Sequence, residues 1–134
     1  MTFVEIIHTI YLLPTARKHI LEVKSHLQKD TYNKLISTTI TINNNMSIIS
    51  IVKSYFWASR LIHKCHCLPR SIALFQCLNA AGFYVKHKLG VNKTNSNIAA
   101  HAWVEYEGLP LNESKDLKQR FETLELRTNK NIHE

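Results

Sequence analysis

Between positions 63 and 71 the chain reads HKCHCLPRS, and a third cysteine follows at Cys77. Residues of these types at this spacing serve a metal clip, a disulfide, a buried packing cluster or a catalytic thiolate. Structural zinc takes its ligands in separated pairs, C-x2–4-C and H-x3–5-H. His63, Cys65, His66 and Cys67 crowd into one short run with no second pair, so they cannot readily close a tetrahedron, and no metal is expected. Three cysteines in a chain without a signal-like segment do not make a disulfide framework. A catalytic cysteine needs a lowered pKa, which the unpaired N–H groups of a helix N-terminus supply. Cys67 stands just ahead of the helix that Pro69 should open, since proline at the first helical position sacrifices no hydrogen bond. Cys77 falls mid-helix among apolar residues and reads as a small core hydrophobe. Cys65, out of step with the first turn, reads as a loop or packing residue.

A nucleophilic thiolate also needs a base, and the base needs an orienting group. His101, within AAHAWVEY, sits in a strand among small alanines that a partner helix can approach. The acid follows from the next turn. A two-residue loop, Glu107–Gly108, would need positive φ at both residues, which Glu resists. A three-residue loop, Tyr106–Glu107–Gly108, leaves only Gly108 left-handed. It pairs Glu105 with Leu109, Trp103 with Leu111 and His101 with Glu113, and facing Cβ atoms lie about 5 Å apart. A one-residue slip would put Ser114 opposite His101 with Asn112 on the same face. Asn112 is therefore the fallback third member, because an amide can also orient an imidazole. Trp103 and Glu105 share the face of His101 and are candidates to line the site.

The elements that must position these residues follow from periodicity. Residues 3–13 should form a helix ending at Pro14, and 15–29 a second, with Ile20, Val23 and Leu27 at helical spacing. TYNKLISTTITINNN breaks that pattern. From Met46 to about His63 the spacing returns, with Ile48, Ile51, Val52, Tyr55, Phe56 and Leu61 forming an apolar stripe. In CLPRSIALFQCLNAAGF, Ile72, Phe75, Leu78 and Asn79 share a side, the small residues permit close packing, and Gly82 terminates the helix. FYVKHKLGV and IAAHAWVEY alternate as strands joined across residues 92–97. A further short strand is expected at 121–126, before a polar tail. Helices first and an antiparallel meander afterwards predict an α+β fold.

The totals bound the function. The 134 residues suit one domain, and 45% hydrophobic content suits one modest core. The net charge of +7 attracts acidic partners in general, but the Lys and Arg residues are scattered without interleaved aromatics. Solvated faces explain them better than nucleic acid does. The apolar start, MTFVEIIHTIYLLP, carries Glu5 and His8 and lacks a basic n-region and cleavage site. It is also shorter than the ~20 apolar residues that span a bilayer. No nucleic acid, no membrane, no cofactor and a cytoplasmic, bacterial-type protein are expected.

CLPRSIALFQCLNAAGF, then LGV, then AHAWVEYEGLPLNES closely resemble the leader peptidases of lasso peptide biosynthesis, which are transglutaminase-like, papain-related cysteine proteases. The resemblance covers roughly residues 46–126, with 1–45 as an N-terminal helical extension and 127–134 as a tail. It implies a papain/transglutaminase-like core in which a buried Cys-bearing helix packs on an antiparallel sheet. It also implies a Cys-His-acid triad falling on Cys67, His101 and Glu113, with Glu where the family usually has Asp. The implied activity is removal of the leader from a ribosomally made, antimicrobial-type precursor peptide. The form is the stand-alone one, which would work with a separate leader-recognition protein and an ATP-dependent lasso cyclase. Two alternatives stay open: a non-catalytic member of the fold that binds peptide or scaffolds the cyclase, and another amide or acyl-transfer enzyme of the superfamily.

Overall fold

The computed structural model describes residues 1–42, 45–63, 66–92, 99–113, 117 and 121–124. Helix α1 (Phe3–His26) opens with a capping box: the Thr2 side chain accepts from the Glu5 N–H while the Glu5 carboxylate accepts from the Thr2 N–H. Two helices broken at Pro14 are expected from the sequence, but α1 runs straight through it. Pro14 lies on the solvent side, as does Ile10. The Ile10 carbonyl that the proline leaves without a donor can therefore take water. The TYNKLIS segment, read as a break, forms a short helix, α2 (Tyr32–Ser37), because Thr31 caps the Lys34 N–H.

Helix α3 (Ile48–Arg60) is capped by Ser47 and runs alongside α1. The Ser47 and Ser50 hydroxyls donate to Glu5 at one end (3.0 and 3.1 Å), and Lys24 Nζ donates to the His63 carbonyl near the other (3.2 Å). Helix α4 (Cys67–Ala80) is the central element, buried along most of its length. It is one residue pair longer at its start than expected: Cys67 is the first helical residue and Pro69 the third. Pro69 still falls within the first turn, where no N–H has an intrahelical acceptor. The core joins Leu12, Ala16 and Ile20 of α1, Ile51 and Tyr55 of α3, and Ile72 and Leu78 of α4. Two expected core positions are exposed. Leu61 points to solvent while Ile62 is buried in its place, since the helix ends at Arg60 and the 3.6-residue period no longer applies. Asn79 is likewise exposed, in the last turn of α4.

The sheet has strand order β3-β2-β1-β4. Strand β1 (Val85–Asn92) pairs antiparallel with β2 (Ala99–Tyr106), placing Lys88 opposite Trp103 and Gly90 opposite His101. The connection across 93–98 and the tail at 127–134 lie outside the described residues. Strand β4 (Glu122–Leu124) pairs with Leu89–Val91. The short strand β3 (Leu109–Pro110) corrects the expected hairpin. Tyr106 faces Leu109 and Glu105 faces Pro110, so the loop has two residues, Glu107 at φ 53° and Gly108 at φ 78°. The twist of that turn matches the flanking strands, and this outweighs the ~1–2 kcal/mol that a left-handed Glu costs.

Helices packed on an antiparallel sheet make the fold α+β, as the element order predicts. The sheet has two distinct faces. His87 and Val104 are register partners, and His87 touches Ser71 of α4, so their side faces the helices. Strand alternation puts Gly90, His101, Trp103 and Glu105 on the other side.

Candidate active site

Cys67 occupies the first position of α4 behind His66, which makes no side-chain cap. The thiol is partly exposed and not in a disulfide, and it sits where orphan N–H groups favour negative charge. Cys77 has the opposite setting. It is buried, and desolvation pushes its thiol above the usual range, which suits packing and not nucleophilic attack. Cys65 lies outside the described residues.

His101 and Glu113 meet: the imidazole Nε2 and a Glu113 carboxylate oxygen form an ion-pair contact. Both side chains are largely sheltered, 22% and 14% exposed. The ladder register predicted from the three-residue loop is not what joins them. Leu111 donates its N–H to the Val104 carbonyl (2.8 Å), continuing the register of the two-residue loop. The chain then leaves the sheet at Asn112, whose φ is 57°, and that left-handed step carries Glu113 back to the imidazole. Asn112 points elsewhere, accepting from Lys53 Nζ on α3 (3.0 Å).

The imidazole is held by rings. It stacks on Trp103 (centroids 5.8 Å apart, planes 22° apart) and lies 5.3 Å from the Phe121 ring. Trp103 is fixed in turn by its indole N–H donating to Glu105 (3.0 Å). A Cβ on Gly90 would come within 2.8 Å of the indole, so the glycine makes room for the ring that supports the base. Phe121 and Gly90 were not among the sequence candidates. The only signal for Gly90 is its position in an otherwise side-chain-bearing strand.

Trp103 and Glu113 border a narrow cleft with Arg70, Ser71, Phe56 and Val52, about 20 Å³ in volume, room for one water. Arg70 lies over the Phe56 ring, 6.0 Å from its centroid. Glu105 does not line this cleft; it is buried behind the indole. Among the described residues no hydrogen bond joins Cys67 to His101. Helix α4, which carries the thiol at its start, packs against β2.

A second histidine explains the first turn of α4. Ser71 Oγ donates to the Leu68 carbonyl (3.1 Å) and contacts His87 Nε2 (2.7 Å), while Tyr32 meets His87 Nδ1 (2.7 Å). With the serine proton committed to Leu68, the consistent assignment is Tyr32 O–H to Nδ1 and Nε2–H to Ser71. Burial lowers the His87 pKa to about 4 and raises that of Tyr32 to about 12, so the imidazole is neutral and the phenol protonated at neutral pH. A base that weak does not activate Ser71. The chain of bonds instead ties α2 and β1 to the backbone beside Cys67. Ser71 thus acquires a role that the sequence did not reveal, because His87 lies one strand away.

Residues 19–126 match the transglutaminase-like superfamily. No curated protein and no solved structure gives a significant match.

Proposed function

The chain belongs to the transglutaminase-like superfamily, and on that premise we propose that it is a cysteine peptidase that removes the leader from a lasso peptide precursor. The superfamily includes cysteine peptidases and acyl-transferases. The observation that carries the catalytic reading is the His101–Glu113 contact on the sheet that packs against a helix opening with Cys67. The resemblance of CLPRSIAL and AHAWVE to the lasso leader peptidases supplies the substrate class.

In this mechanism the Cys67 thiolate attacks the carbonyl at the leader–core junction. N–H groups at the start of α4 stabilise the oxyanion. Glu113 holds His101 through Nε2 and stabilises the imidazolium, leaving Nδ1 to exchange protons with the thiol and then with the leaving amine. That amine becomes the new N-terminus of the core peptide, ready for a cyclase. Water, deprotonated by His101, then hydrolyses the thioester and frees the leader. The reaction requires Cys67 and His101 to close to hydrogen-bond distance in the loaded enzyme, as catalytic contacts commonly do on substrate binding. A leader-recognition protein that delivers the precursor is the natural trigger for that closure.

Mass spectrometry of a precursor incubated with the chain and its leader-recognition partner tests the proposal. Cys67→Ala should abolish cleavage while leaving the melting temperature unchanged. Cleavage that survives this substitution would remove Cys67 as the nucleophile.

Two observations favour a second reading. A one-water cleft and the lack, among the described residues, of a Cys67–His101 hydrogen bond suit a non-catalytic member that binds peptide or scaffolds the cyclase. In that case the wild-type chain would bind precursor and leave it intact even with its partner present.

A further inference from the structure

Helix α1 is apolar on two sides over its first three turns, and the fold covers only one. Thr9, Leu12, Ala16, Ile20 and Val23 face inward. Phe3, Val4, Ile6, Ile7, Ile10 and Tyr11 face outward with 42–76% of their surfaces exposed. At 3.6 residues per turn these six fall on less than half of the helix circumference, opposite the buried stripe. Together they form one continuous apolar and aromatic ridge, where exposed hydrophobes on a monomer are usually scattered singly. Isolated exposed hydrophobes are ordinary, but a continuous ridge of this size marks a surface that something covers.

Charge identifies the occupant. Glu5 is the sole acidic residue before Glu22, and its carboxylate is turned toward Thr2 and Ser47. Arg17 and Lys18 follow Ile10 and Tyr11 by seven residues, two turns along the same outer stripe, and both are exposed. The ridge therefore runs from apolar and aromatic residues into two cations, on a chain of net charge +7. A second copy would bring a second such charge to the contact. An anionic bilayer brings the opposite sign, accepts Phe and Ile below its headgroups, and suits Tyr at the boundary.

We propose that the outer face of α1 docks the protein in the interface plane of an anionic membrane. No helix among the described residues is long and apolar enough to cross a membrane, so the contact is peripheral.

Flotation of the full chain with lipid vesicles tests this. Vesicles of phosphatidylcholine containing phosphatidylserine should carry the protein, vesicles of phosphatidylcholine alone should not, and raised salt should release it. The double variants Ile7→Ser/Ile10→Ser and Arg17→Glu/Lys18→Glu should each lower the bound fraction at least about tenfold. All the substituted side chains are solvent-facing, so melting temperatures should stay unchanged and serve as the folding control. Absence of binding to the anionic vesicles, or binding that Ile7→Ser/Ile10→Ser leaves intact, overturns the proposal. So does a solution dimer in analytical ultracentrifugation that the same double variant dissolves, which would assign the ridge to a second copy.

Discussion

Glu113 reaches His101 through a single left-handed residue, Asn112, and substitutions at Glu113, Asn112 and Gly90 separate the charge, the backbone turn and the ring support of the pair. Glu113→Gln keeps the volume but removes the charge that stabilises the imidazolium. It should lower the cleavage rate by about 10²–10⁴-fold with little change in precursor affinity. Asn112→Gly preserves the left-handed backbone and loses only the bond to Lys53, so its rate should stay within a few-fold of wild type. Were Asn112→Gly the more damaging of the two, orientation of the base would have to be reassigned. At Gly90 the added methyl of Ala would meet the Trp103 ring and the Phe121 Cβ at 2.8 and 3.0 Å. Gly90→Ala should cost about 1–3 kcal/mol of stability and displace the ring on which His101 stacks. Thermal melting and cleavage rate should therefore fall together. Glu113 and Asn112 were legible in the sequence as candidates to orient the base. The geometry was not, because the positive φ of Glu107 contradicts the local preference from which the register was argued.

At the scale of elements, α4 is fixed at its first turn by the bonds running from Tyr32 through His87 to Ser71. The His87 pKa is lowered to about 4 from the ~6.5 of an unfolded chain. Between those pH values the unfolded state binds more protons than the folded one. Stability should accordingly fall as pH drops from about 6.5 toward 4 and level off below, a loss on the order of 3 kcal/mol. His19, whose pKa burial also lowers, adds to the loss in the same sense. Urea unfolding across that window should show a shallower pH dependence for His87→Gln than for wild type; identical slopes would mean that His87 is not the titrating group. The sequence placed α3, α4, β1 and β2 to within a few residues because each carries a clear apolar period. It missed α2, which has one buried residue, Leu35, and so almost no period to read. It also split α1 at Pro14, because a local rule about proline does not know which side of the helix faces water.

For the whole molecule, α1 belongs to the same core as α3 and α4. Ile20, fully buried, should cost about 2–5 kcal/mol when replaced by Ala, a large share of the 5–15 kcal/mol typical of a domain. The urea midpoint should drop accordingly, while cleavage measured well below the transition should persist, since Ile20 belongs to the core and lines none of the site. Composition and periodicity by themselves determined an α+β fold, a cysteine at a helix start, and a strand histidine with an acid after the following turn. Those features depend on local spacing and on residue type, which a sequence states directly. Three others depend on contacts between segments distant along the chain: how Glu113 turns back to His101, which histidine holds Ser71, and which face of α1 stays bare. Only the tertiary structure decided them, because burial, and with it the choice among locally equivalent faces and turns, is a property of the packed chain and not of any stretch of it.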